Sequence, residues 1–568
     1  MTYGDLIGII HRRTGSWSSP DMPIFATVKS WRSWLGPLIV GELLGLLIIG
    51  IVHAVPKPEG GWRFMLIDDA MISMCYARSL AEGCGWVWYC GAERVQGYTN
   101  FLWTLYMAFW HFLGFSGDIG ALPILLTGLI TIGMQVYWLY RLGEVVGGEA
   151  IGRMSAWVGA VFFPLIRWHV SGMETGVLAV LLTYYLYRLL RVESRWRLWD
   201  LVWVGVGVLV RMDFAVWAVG LAAWAAYTRK SWRLLWEVMG IVGIAGVALI
   251  AFQWAYYGEP VPHTYYVKVR SVPLLYRALN GLISLAKYTY VNLALFATAL
   301  YGLWRLGWHQ EKSMLLGLSF GLGVLYNLHV GGDAWENPPT GSRFLLTGIL
   351  GVISLAGYGL SQWGWGMKFI GLLVIFYGIP SPSLNVKSMR AIYLYKIYQN
   401  STSKMIREFY YVDQITTNLS RIIPPGKVVA VRAAGSHPYF YREYRWLDMM
   451  GLCSKHDSLE PVICSIRSAP LIYLPGHTHA GWKRVLREAD VFFDKYFQCK
   501  SLYGNSYPFS WQCKLSGLLG HDCCMRSDYS GPYPNAETWI QLCKTFTTDS
   551  LQPTIHWRTV PKGYNYKM

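Results

Sequence analysis

Charged side chains are scarce in this chain. Asp, Glu, Lys and Arg together make up 15% of its 568 residues, whereas 54% of the residues are hydrophobic. A soluble protein of this length would carry roughly 25% charged residues. The composition therefore excludes a purely soluble, a collagen-like and a disordered protein. Apolar runs that approach the roughly 20 residues needed to cross a bilayer predict many membrane spans instead.

Cysteine is absent from the long apolar stretch between Cys90 and Cys453, although the chain contains ten cysteines. Disulfides form in oxidising compartments, so both cysteine-bearing regions are expected on the same, extracytoplasmic side of a membrane. We expect the cysteines of the C-terminal region to be mostly paired. Cys84 and Cys90 are the expected local disulfide, because a short turn can bring their Cα atoms within about 6 Å.

Motifs for soluble cofactors are missing as well. The chain has no GxxxxGK[ST] or GxGxxG sequence that would hold a nucleotide, and no CxxC spacing that would hold zinc. We therefore expect no cofactor, no metal and no nucleic-acid partner. Any energy for chemistry must come from the substrate itself.

Basic residues cluster in alternate connections between the apolar runs, and this pattern predicts the topology. By the positive-inside rule the N-terminus is cytoplasmic, and the apolar run at 35–55 is a retained first span. Residues 101–115 are expected to form a short helix on the outer face. The remaining spans, which bring the total to about eleven, are predicted at 119–140, 151–169, 174–190, 198–210, 213–228, 234–256, 288–304, 314–329, 344–360 and 366–379.

Three regions follow from this topology. Residues 1–34 form a cytoplasmic N-terminal segment. Residues 35–380 form a polytopic α-helical transmembrane module whose outer-face loop, 56–118, is the candidate catalytic loop. Residues 381–568 are expected to form a mixed α/β extracytoplasmic domain, with a helix over 402–421 and strands near 428–431 and 445–449.

Polar residues recur where the predicted spans reach the outer face. The adjacent carboxylates Asp68 and Asp69 would repel one another and raise one pKa, which suits a general base; acidic residues in a first helical turn are also an ordinary helix-dipole preference. Lys268 and Arg343 could bind a phosphate through charge-assisted hydrogen bonds, or anchor lipid headgroups. Asp213 could face a polar cavity, or pair with Arg211 between two spans.

Five ordered segments resemble the polytopic C-type (GT-C) glycosyltransferases, in particular the branch containing the mycobacterial terminal β-arabinofuranosyltransferase. That branch carries DDAYISFRYAR, ERVEGYTNFLW, SGMET, NTYYAK and GGD followed by RFLLP. The matching segments are 68–78 (DDAMISMCYAR), 93–103 (ERVQGYTNFLW), 171–175 (SGMET), 263–268 (HTYYVK), and 331–333 (GGD) with 343–345 (RFL). In the C-terminal region only 447–452 (LDMMGL) and 475–477 (PGH) resemble the family.

The resemblance implies an integral protein of the cytoplasmic membrane with an extracytoplasmic active site. Its substrates would be a polyprenyl-phosphate sugar, with arabinofuranose as the sugar of that branch, and an acceptor hydroxyl on a glycan, glycolipid or glycoprotein. Transfer would occur with inversion, within membrane lipids, and the oligomeric state is not predicted. Asp68 would be the general base and Asp69 its auxiliary, while Lys268 and Arg343 would hold the donor phosphate. The implied sugar and acceptor pocket contains Arg78, Tyr98, Asn100, Glu174, Asp213, His263, Tyr266 and Asp333.

The segments also depart from the family pattern. Gln96 stands where the family has Glu, His263 stands where it has Asn, and residues 334–341 are longer than the usual connection. The donor sugar and the acceptor therefore stay open. A transporter of a lipid-linked precursor, or a non-catalytic scaffold derived from the same fold, remains an alternative. A transporter would be expected to show two repeated halves with polar residues at mid-membrane, whereas here the polar residues gather on one face.

Overall fold

Helices account for most of residues 28–378 in the computed structural model of the protein. The structure describes residues 28–57, 60–191, 196–270, 272–333, 341–378, 425–431, 434–448 and 450–453, and five short strands beyond them. The helices are α1 (Val28–Ile48), α2 (Asp68–Ala81), α3 (Phe101–Phe112), α4 (Leu122–Gly147), α5 (Glu149–Val161), α6 (Phe163–His169), α7 (Thr175–Leu190), α8 (Leu198–Val210), α9 (Phe214–Arg229), α10 (Arg233–Tyr257), α11 (Leu274–Val291), α12 (Leu293–Leu306), α13 (Glu311–Val330), α14 (Arg343–Gly348), α15 (Leu350–Ser361), α16 (Trp365–Tyr377) and α17 (Ser436–Phe440).

Several of these helices have the length and apolarity of membrane spans. Four qualify within the described residues: Arg32–His53, Gly117–Gly147, Arg233–Tyr257 and Glu311–Val330. The count rises to six if two bent pairs are each one span: α5 with α6, bent by 66°, and α11 with α12, bent by 84°. Helices α7, α8, α15 and α16 are apolar but shorter. Helices occupy all the predicted apolar segments, while the number of spans remains a prediction.

Ion pairs between helices show which helix ends lie together. At one end of the bundle, Glu174 before α7 pairs with Arg211 after α8, with 2.5 Å between carboxylate and guanidinium. At the opposite end, Arg188 on α7 pairs with Asp200 on α8 at 2.8 Å. Helices α7 and α8 are therefore antiparallel. We call the end that contains Glu174 the site end, and the end that contains Arg188 the opposite end.

A two-stranded antiparallel sheet precedes helix α2, formed by β1 (Ala54–Pro56) and β2 (Trp62–Phe64).

The C-terminal strands form two further small sheets. The first has the order β4-β3-β7-β9, from Arg445–Asp448, Val428–Val431, Val491–Asp494 and Asp522–Met525. In it β3 pairs in parallel with both β4 and β7. The buried Val429, Ala430 and Val431 explain the strand, because parallel strands covered on both faces read as continuous apolar runs. The second sheet has the order β6-β5-β8, from His479–Ala480, Glu460–Cys464 and Cys499–Ser501.

The strands predicted near 428–431 and 445–449 are thus present. The helix expected over 402–421, the segment 475–477 and residues 1–27 of the expected cytoplasmic segment 1–34 lie outside the described residues. Cys84 and Cys90 form the expected disulfide, with Cα atoms 5.3 Å apart. Cys453 is a buried free thiol, and the side chains of the other C-terminal cysteines lie outside the described residues. The expectation that most of these cysteines are paired therefore stays a prediction.

The C-terminal segment 434–441 packs on helix α2. The Arg78 guanidinium donates to the backbone carbonyls of Tyr439 and Pro438, and the Trp88 indole N–H donates to the carbonyl of Ala434 at 2.9 Å. A β-carbon at Gly435 would overlap the backbone carbonyl oxygen of Asp68, so only glycine allows this close approach. The contact fixes the C-terminal segment against the start of α2, where the acidic pair lies.

Candidate functional site

The acidic pair begins helix α2, and its two carboxylates contact different parts of the chain. Successive residues on an α-helix point about 100° apart, so adjacent side chains cannot share one environment. Asp68 Oδ1 accepts hydrogen bonds from the Ser436 backbone N–H (2.9 Å) and hydroxyl (3.1 Å), and Oδ2 accepts one from the Gly435 N–H (3.3 Å). Asp69 instead forms an ion pair with Arg343, at 3.0 Å.

The surroundings of Asp68 favour the neutral form of its carboxyl group. Burial is the main cause that raises its pKa to about 6, and the adjacent Asp69 charge raises it further. The hydrogen bonds from Ser436 and Gly435 favour the charged form and oppose this shift. A carboxylate with a pKa close to neutral pH is suited to accept a proton from a substrate hydroxyl.

Arg343, at the start of α14, is shared by two carboxylates. Its Nη2 lies 3.0 Å from Asp69 Oδ2, and its Nε lies 3.2 Å from Asp333 Oδ2. The Asp333 side chain is fully buried, whereas that of Asp69 is 26% exposed. Of the two partners, Asp69 is therefore the one that an incoming anion could reach and displace.

A second buried network adjoins the first. Arg211 donates to Glu174 at 2.5 Å and to Asp213 at 2.7 Å, and the amide of Asn100 donates to the other Glu174 oxygen at 2.7 Å. The ion pair that the sequence allowed for Arg211 and Asp213 is therefore present. Ser73, one helical turn after Asp69 on α2, donates to Asn100 at 2.9 Å and links this network to the acidic pair.

The ring of Phe344 lies between the two networks. The Arg211 guanidinium carbon is 5.3 Å from the ring centroid, and that of Arg343 is 5.4 Å away. Both distances are within the range of cation–π attraction, so the ring helps to hold two like charges near each other.

Lys268 provides a cation that forms no ion pair with a carboxylate of the described residues. It lies in a π-helical turn, Tyr266–Arg270, that follows the helical turn His263–Tyr265. Within the described residues no hydrogen bond or ion pair reaches its ammonium group. Burial and the positive charge of Arg343 lower the pKa of Lys268, while Asp69 and Asp333 act in the opposite direction. Lys268 therefore faces the same cluster of charges but keeps its donors available.

The structure thus brings together seven of the residues singled out from the sequence. We call this group the charged cluster. Its members are Asp69, Asn100, Glu174, Asp213, Lys268, Asp333 and Arg343.

Four other predicted site residues make different contacts. Arg78 holds the C-terminal segment through Tyr439 and Pro438. Tyr98 lies in an aromatic core, with its hydroxyl 3.2 Å from that of Tyr257.

Tyr266 donates to the exposed Glu259 at 2.8 Å. His263 is tied through its backbone N–H to the carbonyl of Gln96 at 3.0 Å. The partners in these contacts are not members of the charged cluster.

Three residues matter at the site that the sequence analysis did not assign to it. Arg211 was recognisable as an ionisable residue at a span end. Gly435 and Ser436 gave no signal beyond a loop between two predicted strands, because their importance comes only from contact with Asp68.

Asp448 is a second buried carboxyl in the C-terminal region. Burial raises its pKa to about 6, although its carboxylate accepts hydrogen bonds from the backbone N–H groups of Cys453 and Met450.

One group of metal-ligating side chains lies close together in the described part of the chain: Glu82, Cys84 and Cys90. Its two cysteines are joined in the disulfide, so this group does not offer thiolates to a metal.

Comparisons with known proteins give a distant likeness. No family model matches the chain, and no curated protein matches it. Among solved structures, the crystal structure of ArnT from Cupriavidus metallidurans bound to undecaprenyl phosphate matches with a TM-score of 0.46 and 11% identity, over 74% of this chain and 86% of that chain. The apo form of the same protein matches with a TM-score of 0.47 and 10% identity, over 82% and 92% of the two chains. These low values assign no activity to this chain.

Proposed function

We propose that this protein is a membrane-embedded glycosyltransferase. In the proposed reaction an acceptor hydroxyl attacks the anomeric carbon of a sugar on a polyprenyl phosphate. A carbon–oxygen bond forms to the acceptor, the bond from the sugar to the phosphate oxygen breaks, and a carboxylate takes the hydroxyl proton. The polyprenyl phosphate leaves with the bonding electron pair and gains a negative charge. No nucleotide or metal is needed for this balance of atoms and electrons.

The observation that carries the proposal is the position of Lys268 beside Arg343. Two neighbouring positive charges repel each other unless an anion binds between them. Lys268 has no ion-pair partner among the described residues. A phosphate that gains charge as it leaves would satisfy both groups. Donors aimed at developing charge in a water-poor site are the largest contributors to many enzymatic rate enhancements.

Arg343 supports the same role through its unequal partners. A phosphate oxygen that reaches its guanidinium would compete with the partly exposed Asp69 and leave the buried Asp333 in place. Donor binding would then release the Asp69 carboxylate towards the acceptor. This fits an auxiliary role for Asp69 in orienting the acceptor hydroxyl.

Asp68 is the proposed general base. Its pKa of about 6 keeps it charged at neutral pH while leaving it basic enough to accept a proton. The three donors from Gly435 and Ser436 would hold the carboxylate in one orientation. Glu174, Asp213 and Asp333 hold the two arginines of the site and are proposed to line the sugar pocket.

The location of the site suits a lipid-linked donor. The charged cluster lies at the site end of apolar helices, where a polyprenyl chain could remain in the membrane while its phosphate reaches the cations. We propose that this end, with the C-terminal region, is extracytoplasmic. Cys513 and Cys543 should then react with an impermeant thiol reagent on intact, mildly reduced cells, and labelling only after permeabilisation would contradict this orientation.

The decisive experiment is transfer by the purified, full-length protein in lipid nanodiscs. A panel of polyprenyl-phosphate pentoses and hexoses would be offered with glycan acceptors, and release of polyprenyl phosphate would be measured together with the new glycoside. The matched control is the Asp68→Asn/Asp69→Asn double variant. Acceptor-dependent release that is lost in this variant would support the proposal.

Other results would favour the alternatives. Donor binding without turnover for any donor and acceptor pair would indicate a scaffold. Movement of an intact, fluorescent polyprenyl-phosphate sugar between the leaflets of a vesicle, without release of the sugar, would indicate a transporter. Full transfer by the double variant would remove the acidic pair from the mechanism.

A further inference from the structure

A cavity at the opposite end of the bundle is separate from the charged cluster. It has a volume of about 330 Å³ and lies between α4, α7 and α8. It adjoins the ion pair of Arg188 and Asp200, which marks the opposite end. None of the residues assigned to the proposed transfer reaction lines it.

The lining of this cavity is rich in basic side chains. It contains four arginines, Arg141, Arg188, Arg191 and Arg197, and one carboxylate, that of Asp200, which pairs with Arg188. The cavity therefore has the electrostatic character of a site for an anion.

Two of the arginines converge on one tyrosine. The hydroxyl of Tyr187 accepts from Arg141 at 3.2 Å and from Arg191 at 2.9 Å. Both guanidinium carbons also lie over its ring, at 5.5 and 5.7 Å from the centroid. Arg141 additionally pairs with Glu144 at 3.0 Å. The shared tyrosine holds two planar, multiply donating groups side by side, an arrangement suited to phosphate oxygens.

The cavity changes from polar to apolar along the helix axes. Met134 lies seven residues before Arg141 on α4, and Leu181 lies seven residues before Arg188 on α7. At 1.5 Å per residue, each apolar residue is about 10 Å nearer the middle of the bundle than its arginine. Met134 and Trp203, both in the lining, are nearly half exposed on the outer surface of the helices.

This order, with cations at the helix ends and apolar surface towards the middle, matches a phospholipid rather than a free phosphate. We propose that the cavity binds an anionic phospholipid, with its phosphate at Arg141 and Arg191 and an acyl chain along Met134 and Trp203. Basic pockets between helices are known to select anionic headgroups in membranes. The site is independent of the proposed transfer reaction.

The test measures lipid retention by native mass spectrometry of the detergent-purified protein. Dioleoyl-phosphatidylglycerol is titrated against dioleoyl-phosphatidylcholine, which has the same acyl chains and no net charge. The variant is Arg141→Gln/Arg191→Gln. The matched control is Lys230→Gln/Arg233→Gln, which removes the same charge at the same end but outside the cavity.

At roughly fivefold per arginine, the cavity variant should retain about 25-fold less phosphatidylglycerol, while the control stays within about twofold of the wild type. Equal losses in the two variants, or no loss in the cavity variant, would overturn the proposal. Displacement of the lipid by glycerol 3-phosphate at the same concentration would also overturn it, because the acyl chain would then contribute nothing.

A second variant guards against misfolding of the first. Tyr187→Phe removes only the hydroxyl that both arginines share, and it should reduce retention several-fold. If Arg141→Gln/Arg191→Gln fails to fold, wild-type retention in Tyr187→Phe would overturn the proposal by itself.

Discussion

Replacing Lys268 by Met should separate catalysis from stability. Met keeps most of the length of the side chain but removes the ammonium group. If Lys268 stabilises the leaving phosphate, its loss should cost about 2.7–4 kcal/mol of transition-state stabilisation, or about 10²–10³ in turnover.

The stability of this variant should move in the opposite direction. Burial and the charge of Arg343 lower the pKa of Lys268 in the folded protein. The charged form of Lys268 is therefore less favourable in the folded protein than in the unfolded chain. At neutral pH, which lies below the ordinary pKa of lysine, the Lys268 amine therefore lowers the stability of the fold. Lys268→Met should leave Tm unchanged or raise it.

The assay follows release of polyprenyl phosphate and thermal unfolding on the same nanodisc preparation. The control is Lys230→Met, which removes an exposed lysine at the opposite end of the bundle and should affect neither quantity. Wild-type turnover in Lys268→Met would refute the phosphate role. A large fall in Tm that accompanies the loss of turnover would refute the reasoning about charge and identify a structural role instead.

Three further predictions test the remaining parts of the site. Turnover should fall below pH about 6 because Asp68 becomes protonated. Asp68→Asn should lower turnover about 10²–10⁴-fold at neutral pH. Ser436→Ala removes a hydrogen-bond donor to the Asp68 carboxylate, so the fall in turnover at acidic pH should begin at a higher pH. Arg211→Met leaves the buried Glu174 without its cation and should reduce the free energy of unfolding by about 3–5 kcal/mol, whereas Arg211→Lys should cost less in the same denaturation experiment. Cys84→Ser opens a short loop and should cost about 2 kcal/mol; reductant should lower Tm by less in this variant than in the wild type.

Local features explain what could be predicted from the sequence. Hydropathy placed helices at the predicted apolar segments, and Val428–Val431 was recognisable as a buried strand from four consecutive small or β-branched apolar residues. The spacing of Cys84 and Cys90 was sufficient for their disulfide. The number of spans could not be settled in the same way, because bends such as the 84° break between α11 and α12 depend on packing.

The ordered motifs also selected most of the charged cluster, because charged residues at the ends of apolar helices are costly unless they serve a purpose. The motifs did not distinguish the residues of the charged cluster from the residues that pack beside it. Tyr98 and Asn100 are two positions apart in the same motif, yet Tyr98 packs among aromatic rings while Asn100 binds Glu174.

Apolar helices with polar ends could be predicted from the amino-acid sequence, because hydropathy and charge are properties of local segments. The pairing of the charges depends instead on contacts between distant parts of the chain. The contact between Asp69 and Arg343 spans 274 positions, and that between Asp68 and Ser436 spans 368. Two adjacent aspartates thereby acquire different partners, because the packing of distant helices determines which charges come within ion-pair distance.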